Sequence, residues 1–277
     1  MVKSGKRPEA PGHDPTTLAT PQPGLSHAHP WISARRHAIA SAATSLPRGV
    51  ALVTRLFLFG RQGCSPPARL LLTDGLFTPL IGSLISDAGY DTEYTLKQKK
   101  KLERPPTWDE AMDYEYPDLT IKKPTLMDFG AAGKGYLVDL VGEILDENGA
   151  NDYCIDAGGD ILHKGKKPIR IGLENPMDKD QVIGIGIVGN GSICGSSGNR
   201  RRWGEFTHIM NPKTLTSPAD ITAVWVVTDT AILADALATC LFFIPASALV
   251  EYKFEYVLIH SDGSFERSPG FQGEIFS

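Results

Sequence analysis

Asp128-Phe129-Gly130-Ala131-Ala132-Gly133-Lys134-Gly135 runs directly into Tyr136-Leu137-Val138-Asp139-Leu140-Val141-Gly142-Glu143-Ile144-Leu145. The second stretch places Leu137, Leu140, Val141, Ile144 and Leu145 at three- and four-residue spacings, which predicts an amphipathic helix over 133–148 with those residues on its apolar face. Gly149 suits the left-handed residue that closes such a helix. The first stretch is then a glycine-rich strand-to-helix connection. Its backbone N–H groups and the helix dipole favour an anion, and Lys134 adds a point charge suited to phosphate. Lys134 is followed by Gly135 rather than Ser or Thr, so this is not a Walker A loop, and the glycine spacing is not the dinucleotide fingerprint. A tight turn with a solvated lysine is the alternative.

Outward from this junction the chain alternates strands and helices irregularly. Upstream, residues 79–88 read as a short helix, 97–106 as an exposed polar loop, and 119–121 and 125–127 as strands. Thr107-Trp108-Asp109-Glu110 reads as a capped helix start, with acids in the first turn. Downstream, strands are predicted at 153–155, 169–173, 181–188, 192–194 and 223–227, then a helix over 230–243 that stops before Pro245. A hairpin is expected from 254–259 and 264–267 across Asp262-Gly263. Runs of strands with helices between only some of them predict an α+β domain.

Two further segments carry chemistry. Asp235 and Thr239 lie one helical turn apart in the apolar stretch 231–241, so a carboxylate and a hydroxyl share a face. A carboxylate there needs a partner. A hard cation such as Mg²⁺, which takes oxygen ligands, is one; an arginine or a neighbouring backbone is another. Ala157-Gly158-Gly159-Asp160 follows a strand and sets an acid at a sharp bend, whether for a ligand or for a plain turn. Ser196-Ser197-Gly198 before Arg200-Arg201-Arg202 suits an anion or a solvated charged surface. His208 is a candidate general base or phosphate ligand, or a structural histidine.

Composition sets the remaining bounds. The 277 residues carry a net charge of −4, but residues 1–70 hold nine Lys/Arg against two Asp/Glu, together with nine of the 20 prolines. This break predicts two parts: an atypical basic Pro/Arg-rich segment over 1–70, expected to lack a fold, and a domain over 71–277. The basic charges are scattered without interleaved aromatics, so no nucleic-acid partner is expected. Cys64, Cys154, Cys194 and Cys240 form no close pair, which excludes a zinc pattern and a disulfide framework. The apolar run 51–59 is too short to span a bilayer and contains Arg55, so no stable membrane insertion is expected. With no signal core or lipid-anchor cysteine recognised, the chain as given is expected to be cytoplasmic.

The order of the motifs is more specific than any one of them. Residues 128–139, Asp156-Ala157-Gly158-Gly159-Asp160-Ile161, Ser196-Ser197-Gly198, Thr207-His208-Ile209-Met210-Asn211-Pro212-Lys213-Thr214 and residues 231–239 together closely resemble the ApbE family of FAD:protein FMN transferases. Residues 73–82 look like that family's upstream Gly-x-Phe-Asp-Pro stretch. The resemblance covers roughly 70–277. It implies a T-fold-like α+β domain with mixed or antiparallel sheets and packed helices. It also implies a Mg²⁺-dependent reaction in which FAD is split at its pyrophosphate. FMN then passes to a Thr or Ser hydroxyl of an acceptor flavoprotein.

Carried over by position, Asp235, Thr239 and the carbonyl of Ala131 resemble the metal ligands. Gly130, Gly133, Lys134, Gly158, Gly159, Ser197 and Gly198 would bind FAD. His208 and Asp160 resemble catalytic residues, His208 helping to activate the acceptor hydroxyl. Members of the family are often exported and membrane-anchored. Thr78 stands where the family has Asp, and Leu215 where its turn has Gly at a position expected to need positive φ. Residues 1–70 show none of the family's amino-terminal segment and are read as a misread or divergent replacement. The same metal site could serve water in an FAD pyrophosphatase, and a chain lacking that segment could be an inactive flavin-binding remnant.

Overall fold

The computed structural model describes residues 73–115 and 118–276. All the described residues belong to one compact unit. The apolar run 51–59 and the whole of the atypical segment 1–70 lie outside the described residues.

Near the start of the described residues, Thr78 accepts a hydrogen bond from the N–H of Leu80, which caps a 3-10 turn at Pro79–Ile81. Helix α1 (Gly82–Asp87) continues it. Residues 97–106 form the expected loop. Helix α2 (Trp108–Ala111) begins with the predicted capping box, Thr107 and Glu110 each accepting from the other's backbone N–H. It leads into β1 (Met112–Glu115), which pairs antiparallel with β2 (Asp118–Ile121). Residues 125–127 are not a strand. They run to Asp128, whose N–H bonds the Pro79 carbonyl at 2.8 Å, so the segment is tied to the 3-10 turn rather than to a ladder.

Helix α3 (Gly133–Glu147) follows the glycine loop. The chain then builds β3 (Tyr153–Asp156), β4 (Asp160–Lys164), β5 (Ile169–Asn175), β6 (Asp178–Val188), β7 (Gly191–Ser197), the short pair β8 (Arg202–Trp203) and β9 (Phe206–Thr207), and β10 (Ile221–Thr228). Helix α4 (Ala231–Cys240), β11 (Glu255–His260), β12 (Phe265–Arg267) and β13 (Gly273–Ile275) complete it. One six-stranded sheet has the order β12-β11-β10-β7-β4-β3, and a three-stranded sheet the order β13-β6-β5. Each ladder among the described residues is antiparallel.

β10 shows why the layers stack as they do. Its period-two alternation sends Val224 and Val226 to a core shared with α3 and α4, and Ala223 and Trp225 to a core shared with Leu173, Val188 and Phe271. Helices therefore cover one face of the six-stranded sheet, and the three-stranded sheet covers the other. A third cluster, with Leu84, Ile85, Trp203, Phe206 and Met210, joins α1 to the β8–β9 ribbon.

The orientation of α3 departs from the sequence expectation. Gly135, Val138 and Gly142 are its buried residues, while Leu137, Val141 and Ile144 are exposed. The glycines explain this: a Cβ on Gly135 would sit 2.2 Å from the Ala231 carbonyl oxygen, and one on Gly142 would sit 2.6 Å from the Leu162 side chain. The helix docks through its small residues at a separation that bulky side chains could not reach.

Candidate functional site

Helices α3 and α4 hold each other by their amino termini. Asp139 of α3 accepts hydrogen bonds from the N–H groups of Ala231 (2.8 Å) and Ile232 (2.9 Å), the start of α4. Asp235 of α4 in turn accepts from the Gly135 N–H at 3.1 Å in the first turn of α3. Each carboxylate satisfies orphan donors of the other helix and faces the positive end of its dipole. The close contact at Gly135 makes this exchange possible.

Lys134 projects from the same turn into a pair of acids. Its Nζ lies 2.5 Å from Asp160 and 3.2 Å from Asp235. Asp160 and Asp235 are 1% and 2% exposed, so Lys134 neutralises two carboxylates that the fold takes out of water. Asp160 makes that ion pair but accepts no well-oriented hydrogen bond on either oxygen. Burial pushes Asp235 up to about 6, with Asp160 adding to the rise and Lys134 opposing it. Burial works against the Lys134 ammonium, but Asp235 and Asp160 outweigh it and hold its pKa above the ordinary value. One of the partners open to Asp235 in the sequence, neighbouring backbone, is thus present; the cation is Lys134 rather than an arginine.

The bend at 157–160 is a two-residue hairpin between β3 and β4. Gly158 and Gly159 have φ of 77° and 100°, and Asp156 accepts both of their N–H groups at 2.9 Å. Both positions need the left-handed freedom of glycine. The bend sets Asp160 at the start of β4, under Lys134. Arg200 donates to the Gly158 carbonyl at 2.7 Å and pairs with Glu174.

These elements enclose a cavity of about 410 Å³. Of the residues proposed from sequence, Gly130, Ala131, Lys134, Gly158, Ser197, His208, Asp235 and Thr239 line it. Gly133, Gly159, Asp160 and Gly198 do not: the glycines shape the surrounding backbone, and Asp160 reaches the site through Lys134. Phe77, Thr78 and Tyr90 also line it, and sequence reasoning gave them no role there; Arg200 and Arg201, read from the sequence as suited to an anion or to a solvated surface, line it too. Thr78 keeps a cap where the resemblance expects Asp, since both residue types accept from a first-turn N–H.

His208 enters from the far wall. Its Nδ1 is buried with no hydrogen-bond partner among the described residues. Burial, with the Arg201 charge second, lowers its pKa to about 4, so the ring is neutral near pH 7 and able to take a proton.

No group of three His, Cys, Asp or Glu side chains among the described residues is arranged to hold a metal. The donor set here is of another kind: two buried acids, the Thr239 hydroxyl one turn from Asp235, and the backbone at Ala131. These are hard oxygens, and of them the Asp235 carboxylate, the Thr239 hydroxyl and the backbone at Ala131 line the cavity, the donor chemistry that a divalent cation of Mg²⁺ type takes. No described helix is long and apolar enough to cross a membrane.

The chain is 26% identical over 226 residues to the FAD:protein FMN transferase of Haemophilus influenzae, covering 70% of this chain and 64% of the relative. It is 28% identical over 185 residues to that of Rhodobacter capsulatus, covering 61% and 35%. It thus spans less than two thirds of the length of these curated relatives. Among solved structures, the ApbE protein of Thermotoga maritima superposes with a TM-score of 0.67 at 21% identity, over 80% of this chain and 75% of the other, so the α+β fold is shared. The ApbE family model matches residues 70–256, which include both helices, the glycine loop and every residue of the buried acid–lysine cluster, and the chain belongs to the ApbE family.

Proposed function

We propose that the chain transfers FMN from FAD to a Thr or Ser hydroxyl of an acceptor protein. The observation that carries this reading is the joining, in one cavity, of a glycine loop at a helix amino terminus, a lysine held between two buried acids, and a neutral histidine. The relatives named FAD:protein FMN transferase support the choice of substrate.

In this reading the glycine loop and the start of α3 hold the pyrophosphate of FAD by backbone N–H groups. Asp235, Thr239 and the Ala131 carbonyl would hold Mg²⁺, which supplies charge neutralisation at the phosphate oxygens. Lys134, already beside Asp160 and Asp235, adds a second positive charge. The acceptor hydroxyl oxygen bonds to the FMN phosphorus as the bond from that phosphorus to the bridging oxygen of AMP breaks. His208 takes the hydroxyl proton, and AMP carries away the bridging oxygen. Positioning and charge do most of the work in such transfers.

Incubation with FAD, Mg²⁺ and a protein bearing an acceptor hydroxyl tests this. The expected result is acceptor mass gain with in-gel flavin fluorescence, abolished by EDTA. Release of free FMN and AMP without acceptor labelling would identify a pyrophosphatase instead. Absence of both from a folded sample would remove the enzymatic reading.

A further inference from the structure

A cleft of about 740 Å³ lies beside the candidate site and is lined by both sheets. Ile161, Ile193 and Trp225 come from the six-stranded sheet, and Arg170, Ile171, Gly172 and Glu174 from β5 of the three-stranded sheet. The cleft shares Gly158, Gly195, Arg200 and Arg201 with the candidate cavity, so the two are contiguous.

Its charge is one-sided. Arg170, Lys179, Arg200 and Arg201 line it against Asp156 and Glu174. Asp156 accepts from the two hairpin glycines, and Glu174 pairs with Arg200. Arg170, Lys179 and Arg201 make no ion pair among the described residues, which leaves a positive field. Trp225 adds a donor. It is 8% exposed, and its indole N–H takes no hydrogen-bond partner among the described residues. Its cross-strand partner is Gly195, where a Cβ would sit 3.0 Å from the indole nitrogen, so no side chain there covers the N–H. A buried donor of this kind calls for an acceptor from outside.

The backbone of β5 says what kind of molecule brings it. β5 pairs with β6 alone among the described residues, so its other edge leaves N–H and C=O groups open to a further strand. A row of backbone donors and acceptors suits an extended peptide rather than a phosphate or a lipid, and the cations select an acidic one. We propose that an acidic, extended segment of the acceptor protein lies along β5 in this cleft. Its carboxylates meet Arg170 and Lys179, and one of its oxygens accepts from Trp225. Arg200, which bonds the Gly158 carbonyl and Glu174 of β5, stands where the segment passes from the cleft to the candidate cavity. Binding of an acidic strand rests on the cleft alone; its assignment to the acceptor rests on the proposed function.

Panning a library of synthetic peptides, each with one central Thr and randomised flanks, against the chain without FAD tests the cleft. The retained peptides should be rich in Asp and Glu. Arg170→Glu combined with Lys179→Glu, two exposed residues outside the candidate cavity, should hold them about 10-fold or more weakly. Trp225→Phe, which keeps an aromatic ring and removes the N–H, should weaken them severalfold. Retention without acidic preference, or no retention, would overturn the proposal. An equal loss of FAD affinity in the charge-reversed variant would assign the cleft to FAD and overturn it as well. On addition of FAD and Mg²⁺, retained peptides should be flavin-labelled in preference to the rest of the library. Labelling that ignores retention would take the acceptor elsewhere and overturn its assignment to this cleft. Acidic retention with no labelling of any peptide would instead count against the proposed function and leave the acidic-strand cleft standing.

Discussion

At the scale of single residues, His208 and Asp235 make separable predictions. His208 has a folded pKa near 4, below the ordinary value of 6.5. The unfolded chain therefore binds more protons between those values, and stability falls as pH drops through that window. The full contribution is present above pH 6.5, and up to about 3 kcal/mol is lost toward pH 4. Denaturant titrations at several pH values should show this slope in the wild type and a flatter one in His208→Gln; equal slopes would mean that the imidazole is not held neutral. Asp235→Asn keeps the shape of the side chain and leaves Asp160 to pair with Lys134. It should lower Mg²⁺-dependent labelling by about two orders of magnitude or more, the scale on which loss of one charge-stabilising group acts. Labelling at wild-type rate would remove Asp235 from the metal site.

Leu215 shows a sequence reading that can be checked by one angle. The expected positive φ is there, at 63°, in the turn closed by the Leu215 N–H to the Asn211 carbonyl. A left-handed leucine costs about 1–2 kcal/mol. The side chain also packs on the Trp203 cluster, which offsets a similar amount. Leu215→Gly should therefore change stability by less than about 1 kcal/mol, measured by chemical denaturation, because relief and lost packing oppose each other. A loss of several kcal/mol would show that the packing dominates.

At the scale of elements, the pair α3 and α4 decides most of the site. Gly135→Ala separates two effects of opposite sign. Helix propensity alone favours alanine over glycine by about 1 kcal/mol. The added Cβ would meet the Ala231 carbonyl at 2.2 Å, and backbone cannot swing aside as a side chain can. Overpacking of that kind costs about 1–3 kcal/mol or more, so Gly135→Ala should destabilise and weaken FAD binding. Stabilisation would mean that the helices can part without harm.

The same pair marks where the sequence was legible and where it was not. The existence of α3 and α4 followed from spacing, and the bend at Gly158-Gly159 and the hairpin at Asp262-Gly263 followed from turn chemistry, whereas β4 beyond the bend was not read. The buried face of α3 did not. Periodicity weighs bulky apolar residues, and α3 packs through Gly135, Val138 and Gly142 instead. The ion pair of Lys134 with Asp160 and Asp235 joins residues 26 and 101 positions apart, and neither spacing gives a local signal. The short strands β8, β9 and β13 carry too few residues for an alternating pattern.

At the scale of the whole molecule, the candidate site is assembled from the 3-10 turn, the glycine loop, the β3–β4 hairpin, the end of β7, the region around His208 and α4. These segments span Leu76 to Phe243, and α3 and α4 pack on the central sheet that also backs the three-stranded layer. A ligand that bridges them can bind only when they are together. It should therefore stabilise the folded chain as a unit rather than one loop. At a free concentration of 100 times Kd, FAD would add about 2.7 kcal/mol. For a chain of this size that raises the melting temperature by about 5–10 °C. Mg²⁺ added with FAD should raise it further in the wild type, and Asp235→Asn should keep the FAD increment while losing that of Mg²⁺. Loss of both increments in a variant that still folds would mean that Asp235 holds the cavity together and is not chiefly a metal ligand. A wild type unmoved by FAD at any concentration would take the flavin away from this cavity, whatever the likeness of its relatives.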